Sequence, residues 1–569
     1  MSMYDQLKEV WGELTAPGAP FEIATVQIRG NPARAFATAP ATVRDLWLAS
    51  AAFADRDYLV YDDERITYAE AHRQVASIAN WLRAQGVQPG DRVAIAMRNY
   101  PEWLLAYWAT IAMGAVVVGV NAWWVGPELV YGLNDSSPKV LICDQQRLEQ
   151  TLAHFKEIPE MRLVGVRLPG ATPAGVVPWQ DLLAIGGDLP AADIDPDSDA
   201  CIFYTSGTTG HPKGAELTHR GCITNLMNMG FWATCVTTIG QRNGTVPIPA
   251  EGAPPPDTAA LVTTPLFHVT ANNCVAYSAT AAGGKLVFMY KWDATEALKL
   301  VERERITALT GVPVMSRELV SHPDFASYDT SSLMSVGGGG AQLQPDLVSK
   351  IDQTVATARP NTGYGMTETC GIITSISADF FLNKPDSCGP AMPSYEAKTV
   401  DADGNALPPG EIGELWVRGA AVIRGYLNRP EATAETITDG WLHTGDIARI
   451  DEDGFIYIVD RAKDMVLRGG ENVYCAEVES ALYEHPAVAE CTVFGVPDDR
   501  LGEEVGAAIF LKADEQAPAD ELRAHCRERI SPHKVPRYLW LTAEPLPRNA
   551  SGKFLKRELR DKLDPTQAA

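Results

Sequence analysis

Residues 200–214 read ACIFYTSGTTGHPKG, a short apolar run followed by a turn rich in glycine and hydroxyl groups. Thr205, Ser206, Thr208 and Thr209 supply hydroxyls, Gly207 and Gly210 a permissive backbone, and Lys213 a positive charge. Glycine lets backbone N–H groups approach phosphate oxygens, hydroxyls add donors, and lysine adds attraction. A Ser/Gly surface linker would need neither the strand before the turn nor the lysine after it. The stretch is not a Walker A loop, because Pro212 precedes Lys213 and Gly214 follows it, where that motif requires Gly-Lys-Ser/Thr. The reading is a buried strand that delivers a phosphate-binding turn.

Toward the N-terminus, strand and helix signals alternate. Val93–Met97 predicts a buried strand, Pro101–Met113 a helix and Val116–Val120 another strand, with further strands at Val140–Cys143 and Leu163–Val166. Repetition of this unit predicts an α/β fold with mostly parallel sheets, which bind ligands beyond the carboxyl ends of their strands. Trp103–Val120 is 18 residues without a charge, long enough to imitate a membrane span. Gly114 divides it into a helical piece and a β-branched run, so it is read as a buried helix and strand, with no integral membrane segment.

Toward the C-terminus, residues 398–460 carry Asp403-Gly404 and Asp453-Gly454 between alternating segments, which predicts a small antiparallel β subdomain. Beyond Asp460, helices are expected at Ala476–Glu484 and Ala519–Arg529, and strands at Thr492–Val496, Ala507–Leu511 and Tyr538–Leu541. The expected division is a large N-terminal domain of several subdomains, 1–460, and a small mobile α+β domain, 461–569. Thr245–Pro256 is rich in proline and reads as an exposed loop.

At 569 residues the chain exceeds a single core. Its 48 basic and 72 acidic residues leave a net charge of −24, which opposes nucleic acid and anionic membranes. The same field opposes anionic cofactors, so any nucleotide site needs local positive charge. Lys534, Arg537, Arg548, Lys556 and Arg557 crowd the C-terminal region, either to meet such phosphates or as ordinary solubilising charge. The ten cysteines form no C-x-x-C pair, and the first residues lack a signal-peptide pattern, which favours a cytoplasmic setting.

Six further segments accompany the phosphate turn: TPLFH (264–268), GGGGA (337–341), YGMTET (364–369), WLHTGD (441–446), DRAKDMVLRGGENVYCAEVE (460–479) and NASGK (549–553). Together they resemble, in order and over roughly residues 45–560, the acyl-adenylate-forming superfamily of acyl- and aryl-CoA ligases, peptide-synthetase adenylation domains and firefly luciferase.

The resemblance implies ATP, Mg2+ and coenzyme A, and a small-molecule carboxylic acid as substrate. It assigns the phosphates to Thr205, Ser206, Gly207, Thr208, Thr209, Gly210 and Lys213, with Thr205 also catalytic. Glu368 would hold the magnesium, a hard cation that takes carboxylate and phosphate oxygens. Tyr364 would flank the adenine, Gly339, Gly340 and Ala341 would leave room for it, and Gly365, Met366 and Thr367 would complete that wall. Asp446 would accept from the ribose hydroxyls, and Arg461 would contact ribose and phosphate. Lys553 would bridge the substrate carboxylate and the α-phosphate, where a positioned ammonium stabilises developing charge. His268 borders the acyl pocket and is read as a gating and packing residue. Lys463 falls at the hinge about which the small domain turns, replacing Lys553 with Gly469, Gly470 and Glu471 beside the thiol.

The acyl pocket is expected from Phe231, Trp232, residues 269–277, residues 311–315 and the glycines 337–340, all apolar or small apart from the amides of Asn272 and Asn273. With Ala276, Ser278 and Ala279 leaving space, the first expectation is a medium- or long-chain fatty acid. A CoA ligase for an aryl or bulky ring-bearing, steroid-like acid is the alternative. An acyl-AMP ligase that loads a carrier protein and a catalytically silent acyl- or nucleotide-binding protein are the remaining ones, and a homodimer is left open.

Overall fold

The computed structural model describes residues 2–205, 211–250, 256–469, 471–498, 500–513, 515–549 and 552–569. Two large sheets carry the N-terminal part. The first runs 213–218, 199–205, 116–119, 92–96, 140–144, 162–166, 176–178 and is parallel except for its first strand. The second runs 371–377, 359–366, 335–338, 308–311, 259–262, 285–288, 57–61, 64–67 and is parallel except at its two outer strands.

The helix Pro101–Ala112 packs on strands of both sheets, which is why it is apolar all round. Trp103, Leu104, Tyr107, Trp108 and Ile111 are fully buried, and Val116–Gly119 follows as an interior strand. Trp108 Nε1 donates to the Tyr58 hydroxyl at 2.8 Å, so the one polar atom of that ring is satisfied inside the core. Among the described residues no helix is long and apolar enough to cross a membrane.

Residues 389–461 form a six-stranded antiparallel sheet in which Gly404 (φ +82°) and Gly454 (φ +85°) close hairpins, as their Asp-Gly sequences predict. The C-terminal residues build a five-stranded mixed sheet with its own core, from Val466 and Val478 to Ile509 and Leu539. Its strand Val488–Asp498 is longer than the expected Thr492–Val496, because it pairs along its length with Gly502–Leu511. Asp460 ties the two cores together, accepting from the backbone N–H of Arg461 at 2.7 Å and from that of Cys475. The described part of the proline-rich loop, up to Ala250, is largely exposed.

Candidate active site

The phosphate turn sits on an antiparallel hairpin. Thr205 ends one strand directly across from Lys213, which begins the next, and Thr205 Oγ1 donates to the Lys213 carbonyl at 3.4 Å. Ser206, Gly207, Thr208, Thr209 and Gly210 lie outside the described residues. Lys213 Nζ lies 5.0 Å from the centre of the Tyr426 ring, and the Tyr426 hydroxyl donates to Glu368 Oε1 at 2.7 Å. Burial and the Glu368 charge push the Tyr426 phenol up, so it stays a donor. Tyr426 thus joins the phosphate-turn lysine to the carboxylate expected at the metal. No sequence pattern around residue 426 marks it, because the link exists only across the fold.

Glu368 is presented by a tight turn after the strand Arg359–Met366. The Met366 N–H donates to Thr369 Oγ1 at 3.1 Å, the Thr367 carbonyl accepts from Cys370 at 3.0 Å, and the Glu368 carbonyl accepts from Ile423 at 3.0 Å. A side chain at Gly365 would run into the Gly371 carbonyl, so this glycine is needed for close backbone approach. The Tyr364 hydroxyl donates to Asp446 Oδ2 at 2.5 Å. Tyr364 therefore orients Asp446, a contact the sequence reading did not contain.

Asp446 and Arg461 face each other across one ladder, with Arg461 Nε 3.3 Å from Asp446 Oδ1. Burial pushes the Asp446 carboxyl above its usual range, and Arg461 and the Tyr364 hydroxyl oppose that rise. The four glycines divide by environment. A side chain at Gly337 would collide with Asn361, and one at Gly338 with Leu343. Gly339 and Gly340 face free space: a methyl at Gly339 would stand 4.0 Å from Thr270 Cγ2, and one at Gly340 3.8 Å from Lys553 Cε. Ala341 is exposed.

Lys553 reaches this space from the C-terminal part on a closed loop. The Asn549 N–H donates to the Lys553 carbonyl at 2.8 Å, the Lys553 N–H to Asn549 Oδ1 at 3.0 Å, and Gly552 (φ +77°) permits the turn. Burial lowers the Lys553 ammonium to about 8, with Arg461 adding repulsion while Asp446 and Glu368 oppose it. His268 is pushed down to about 4 by burial and by the Lys553 charge, so its ring is neutral at physiological pH. Lys553, Arg461, Asp446, Glu368, His268 and Gly340 therefore share one site.

Lys463 is exposed in a turn where the Asp464 and Met465 N–H groups both donate to the Arg461 carbonyl. Gly469 donates to the Leu501 carbonyl at 2.7 Å and Glu471 pairs with Arg468 in a hairpin, both within the C-terminal part, while Gly470 lies outside the described residues. The structure brings Lys553 into the site, whereas among the described residues no hydrogen bond or ion pair joins Gly469 or Glu471 to it.

Several expected pocket residues point elsewhere. Phe231 is fully buried with its ring 4.6 Å from Trp11 and 5.5 Å from Phe21, and Trp232 Nε1 donates to Ser377 Oγ at 2.9 Å. Their helix, His219–Arg242, is covered by the N-terminal helix on that face, and Met229 instead approaches Ser278 at 3.7 Å. Asn272 and Asn273 are also fully buried. Asn273 Nδ2 donates to the Cys370 carbonyl at 3.0 Å, Asn225 Nδ2 to the Asn273 carbonyl at 3.1 Å, and Ile372 N–H to Asn225 Oδ1 at 2.8 Å. These amides brace the backbone just after Glu368. Ala276 is fully buried as well.

In the role the sequence resemblance implies, between two approaching anions, Lys553 must be charged, and this fixes the sign of an expected pH effect. The ammonium is present below about 8 and lost as pH rises through that value. The kcat/KM of acyl-adenylate formation, which reports the free enzyme, is expected to fall on the alkaline side near that pH. Rates of acid-dependent pyrophosphate exchange across pH check this; a profile flat through that region would remove Lys553 as the titrating group.

A family model described as AMP-binding enzyme matches residues 46–427, and one described as AMP-binding enzyme C-terminal domain matches 477–553. A feruloyl-CoA synthase of Amycolatopsis sp is 39% identical over 499 residues, covering 87% of this chain and 93% of that protein. A long-chain-fatty-acid–CoA ligase of Bacillus subtilis is 32% identical, covering 90% and 92%. The crystal structure of an anthranilate CoA ligase in complex with anthranoyl-AMP superposes with a TM-score of 0.81 at 26% identity, covering 91% and 96%.

Proposed function

This chain belongs to the AMP-binding enzyme family and is an AMP-forming acid–CoA ligase using ATP and CoA, and within that class we propose that it activates an aryl acid of the substituted-cinnamate kind. The observation that carries the mechanism is Lys553, brought against Gly340 beside Arg461, Asp446 and Glu368. The substrate carboxylate and the α-phosphate meet at the Lys553 ammonium, which stabilises the charge developing between them. Asp446, held by Tyr364, takes the ribose, while Arg461 and Lys213 balance phosphate charge. Thr205 anchors the phosphate turn from its first strand. Gly339, Gly340 and Ala341 leave room for the adenine beside the Gly365–Thr367 backbone.

Glu368 fits the role of magnesium ligand. Among the described residues no group of three acidic, His or Cys side chains could hold a metal. Mg2+ needs only one or two carboxylates when phosphates and water complete its shell. Bound there, it would neutralise phosphate charge. Neutral His268 packs at the acyl end and transfers no proton. After pyrophosphate leaves, residues 461–569 turn about Lys463 and replace Lys553 with the Gly469–Glu471 hairpin for attack by the thiol.

Apart from Lys553, the side chains that border Gly339 and Gly340 carry no charge, which bears on the substrate class. Thr270 and Val312 border them, and Met315 packs on Gly311. Among the described residues no carboxylate or second ammonium borders these glycines to serve an amino acid or a dicarboxylate. The 39% likeness to a feruloyl-CoA synthase supports an aryl acid over a fatty acid. A fatty acid is the second reading, favoured by the 32% relative. A pyrophosphate-release screen over acetate, fatty acids of rising length, hydroxycinnamic acids and steroid-like acids separates them. Flat aromatic acids are expected to lead without a chain-length trend. If instead specificity climbs with each carbon, at about 0.8 kcal/mol per buried methylene, the fatty-acid reading replaces this one.

A further inference from the structure

Coenzyme A brings an adenine and several phosphate charges to a protein of net charge −24, so its nucleotide end needs a stacking surface and an unneutralised cation. Four of the five basic residues that crowd the C-terminal region are held in ion pairs, and the fifth, Arg557, stands 3.9 Å from Asp561. Lys534 pairs with Glu477 at 2.7 Å, Arg537 with Asp498 at 3.3 Å, Arg548 with Glu490 at 3.0 Å and Lys556 with Glu479 at 2.9 Å.

Arg98 differs. Its backbone N–H donates to Asp144 Oδ2, but the charge of Asp144 is taken by Arg147 at 3.1 Å. Among the described residues no carboxylate lies within ion-pair range of the Arg98 guanidinium, and its Nε is buried without a hydrogen-bond partner. Two aromatic rings lie over it instead, Trp123 at 3.8 Å and Tyr290 at 4.9 Å. Both are unusually open for large side chains, 49% and 45% exposed. The Trp123 N–H donates to Asn121 Oδ1 at 2.9 Å, which fixes the turn that holds the indole outward.

The position of this stack is as telling as its chemistry. Arg98, Trp123 and Tyr290 follow the carboxyl ends of strands 92–96, 116–119 and 285–288, where open parallel sheets bind their ligands. Asn99 ties the stack to the TPLFH segment: Asn99 Nδ2 donates to the Thr264 carbonyl at 2.9 Å, and the Leu266 N–H donates to Asn99 Oδ1 at 3.0 Å. A methyl at Gly119 would stand 3.4 Å from Phe267 Cα, so the turn carrying Trp123 also starts against that segment. His268, the last residue of the segment, feels the charge of Lys553. The stack therefore lies on the outer side of the wall whose inner side is the active site.

We propose that Trp123, Arg98 and Tyr290 dock the nucleotide end of coenzyme A, with the adenine on the indole and a phosphate on the Arg98 guanidinium. The assignment rests on CoA being the acyl acceptor. It gives the acidic surface a place where a purine and a phosphate are both attracted. The pantetheine arm then runs inward past TPLFH.

The test compares CoA with pantetheine, which carries the same thiol without the nucleotide, as acceptors for the full-length enzyme. Wild type is expected to show a much lower KM for CoA than for pantetheine. In Trp123→Ala the CoA KM rises about 5- to 100-fold, the scale of one lost base–aromatic stack, and the ratio of the two KM values collapses. Trp123→Phe restores the preference. Arg98→Gln weakens CoA in a way that fades at high salt. Equal loss with CoA and pantetheine marks a structural role and overturns the dock, as does an unchanged CoA KM in both variants. A wild type that forms acyl-adenylate but no thioester with either thiol sinks the acceptor reading itself, an outcome distinct from the other two.

Discussion

Lys553→Ala is expected to lower acyl-adenylate formation by two to three orders of magnitude, about 2.7–4 kcal/mol of transition-state stabilisation, while leaving conversion of supplied acyl-AMP and CoA to thioester largely intact. The asymmetry follows from where the side chain stands. Its side chain reaches Gly340 and its charge is coupled to Arg461, Asp446 and Glu368, whereas its loop is held by bonds of its backbone to Asn549 that alanine keeps. The fold of the loop should therefore survive. Lysine is needed when a carboxylate and an α-phosphate are forced together, and not when a thiol displaces AMP. Pyrophosphate exchange reads the first half-reaction, and thioester formation from synthetic acyl-AMP reads the second. Equal loss in both would refute the division of labour and the rotation it implies.

Asp446→Ala should cut kcat/KM for ATP by about 10- to 100-fold, since hydrogen bonds to charged groups are worth about 1.5–3 kcal/mol. Part of any such loss could arise inside the protein, because the substitution strips partners from the Tyr364 hydroxyl and from Arg461. A second substrate resolves this. If Asp446 accepts from the ribose hydroxyls, wild type discriminates strongly between ATP and 2′,3′-dideoxy-ATP, and the variant does not. The interaction energy of that cycle isolates the ribose contact from the structural term. Should the variant lose as much with the dideoxy nucleotide as with ATP, Asp446 serves only to hold Tyr364 and Arg461. Asp446→Asn, which keeps an acceptor for Tyr364, then recovers most of the activity.

Much of the fold was legible because its signals are local. The Asp-Gly pairs at 403–404 and 453–454 close hairpins whichever sheet they serve, since the backbone needs φ > 0 there. The charge-free run Trp103–Val120 was divisible at Gly114 for the same reason: Gly114 adopts φ +79° between helix and strand. The phosphate hairpin was readable because Thr205 and Lys213 are near in sequence and remain opposed in space.

The acyl pocket was not readable, and the failures share a cause. On the helix His219–Arg242 apolar residues face two different neighbours, so composition alone did not say that Phe231 packs on Trp11 while Met229 approaches Ser278. Asn272 and Asn273 looked like polar wall residues, yet each is fully buried; Asn273 braces the segment behind Glu368, and Asn272 Nδ2 donates to Asn273 Oδ1 at 2.8 Å. An amide such as that of Asn273, which seems to interrupt an apolar surface, finds its partner once a distant segment packs against it.

By itself the sequence determined the α/β class, the order of the chemistry-bearing segments and the residue types for handling phosphate, because these depend on short-range backbone rules and on charge. Tertiary structure decided which of those residues meet. It placed Tyr426 between Lys213 and Glu368, set Tyr364 on Asp446, carried Lys553 to Gly340 from a separate core, and left Arg98 under two exposed rings with no counter-ion among the described residues. Each of these joins positions tens to hundreds of residues apart. Such contacts depend on how sheets and cores pack against one another, which no local pattern encodes.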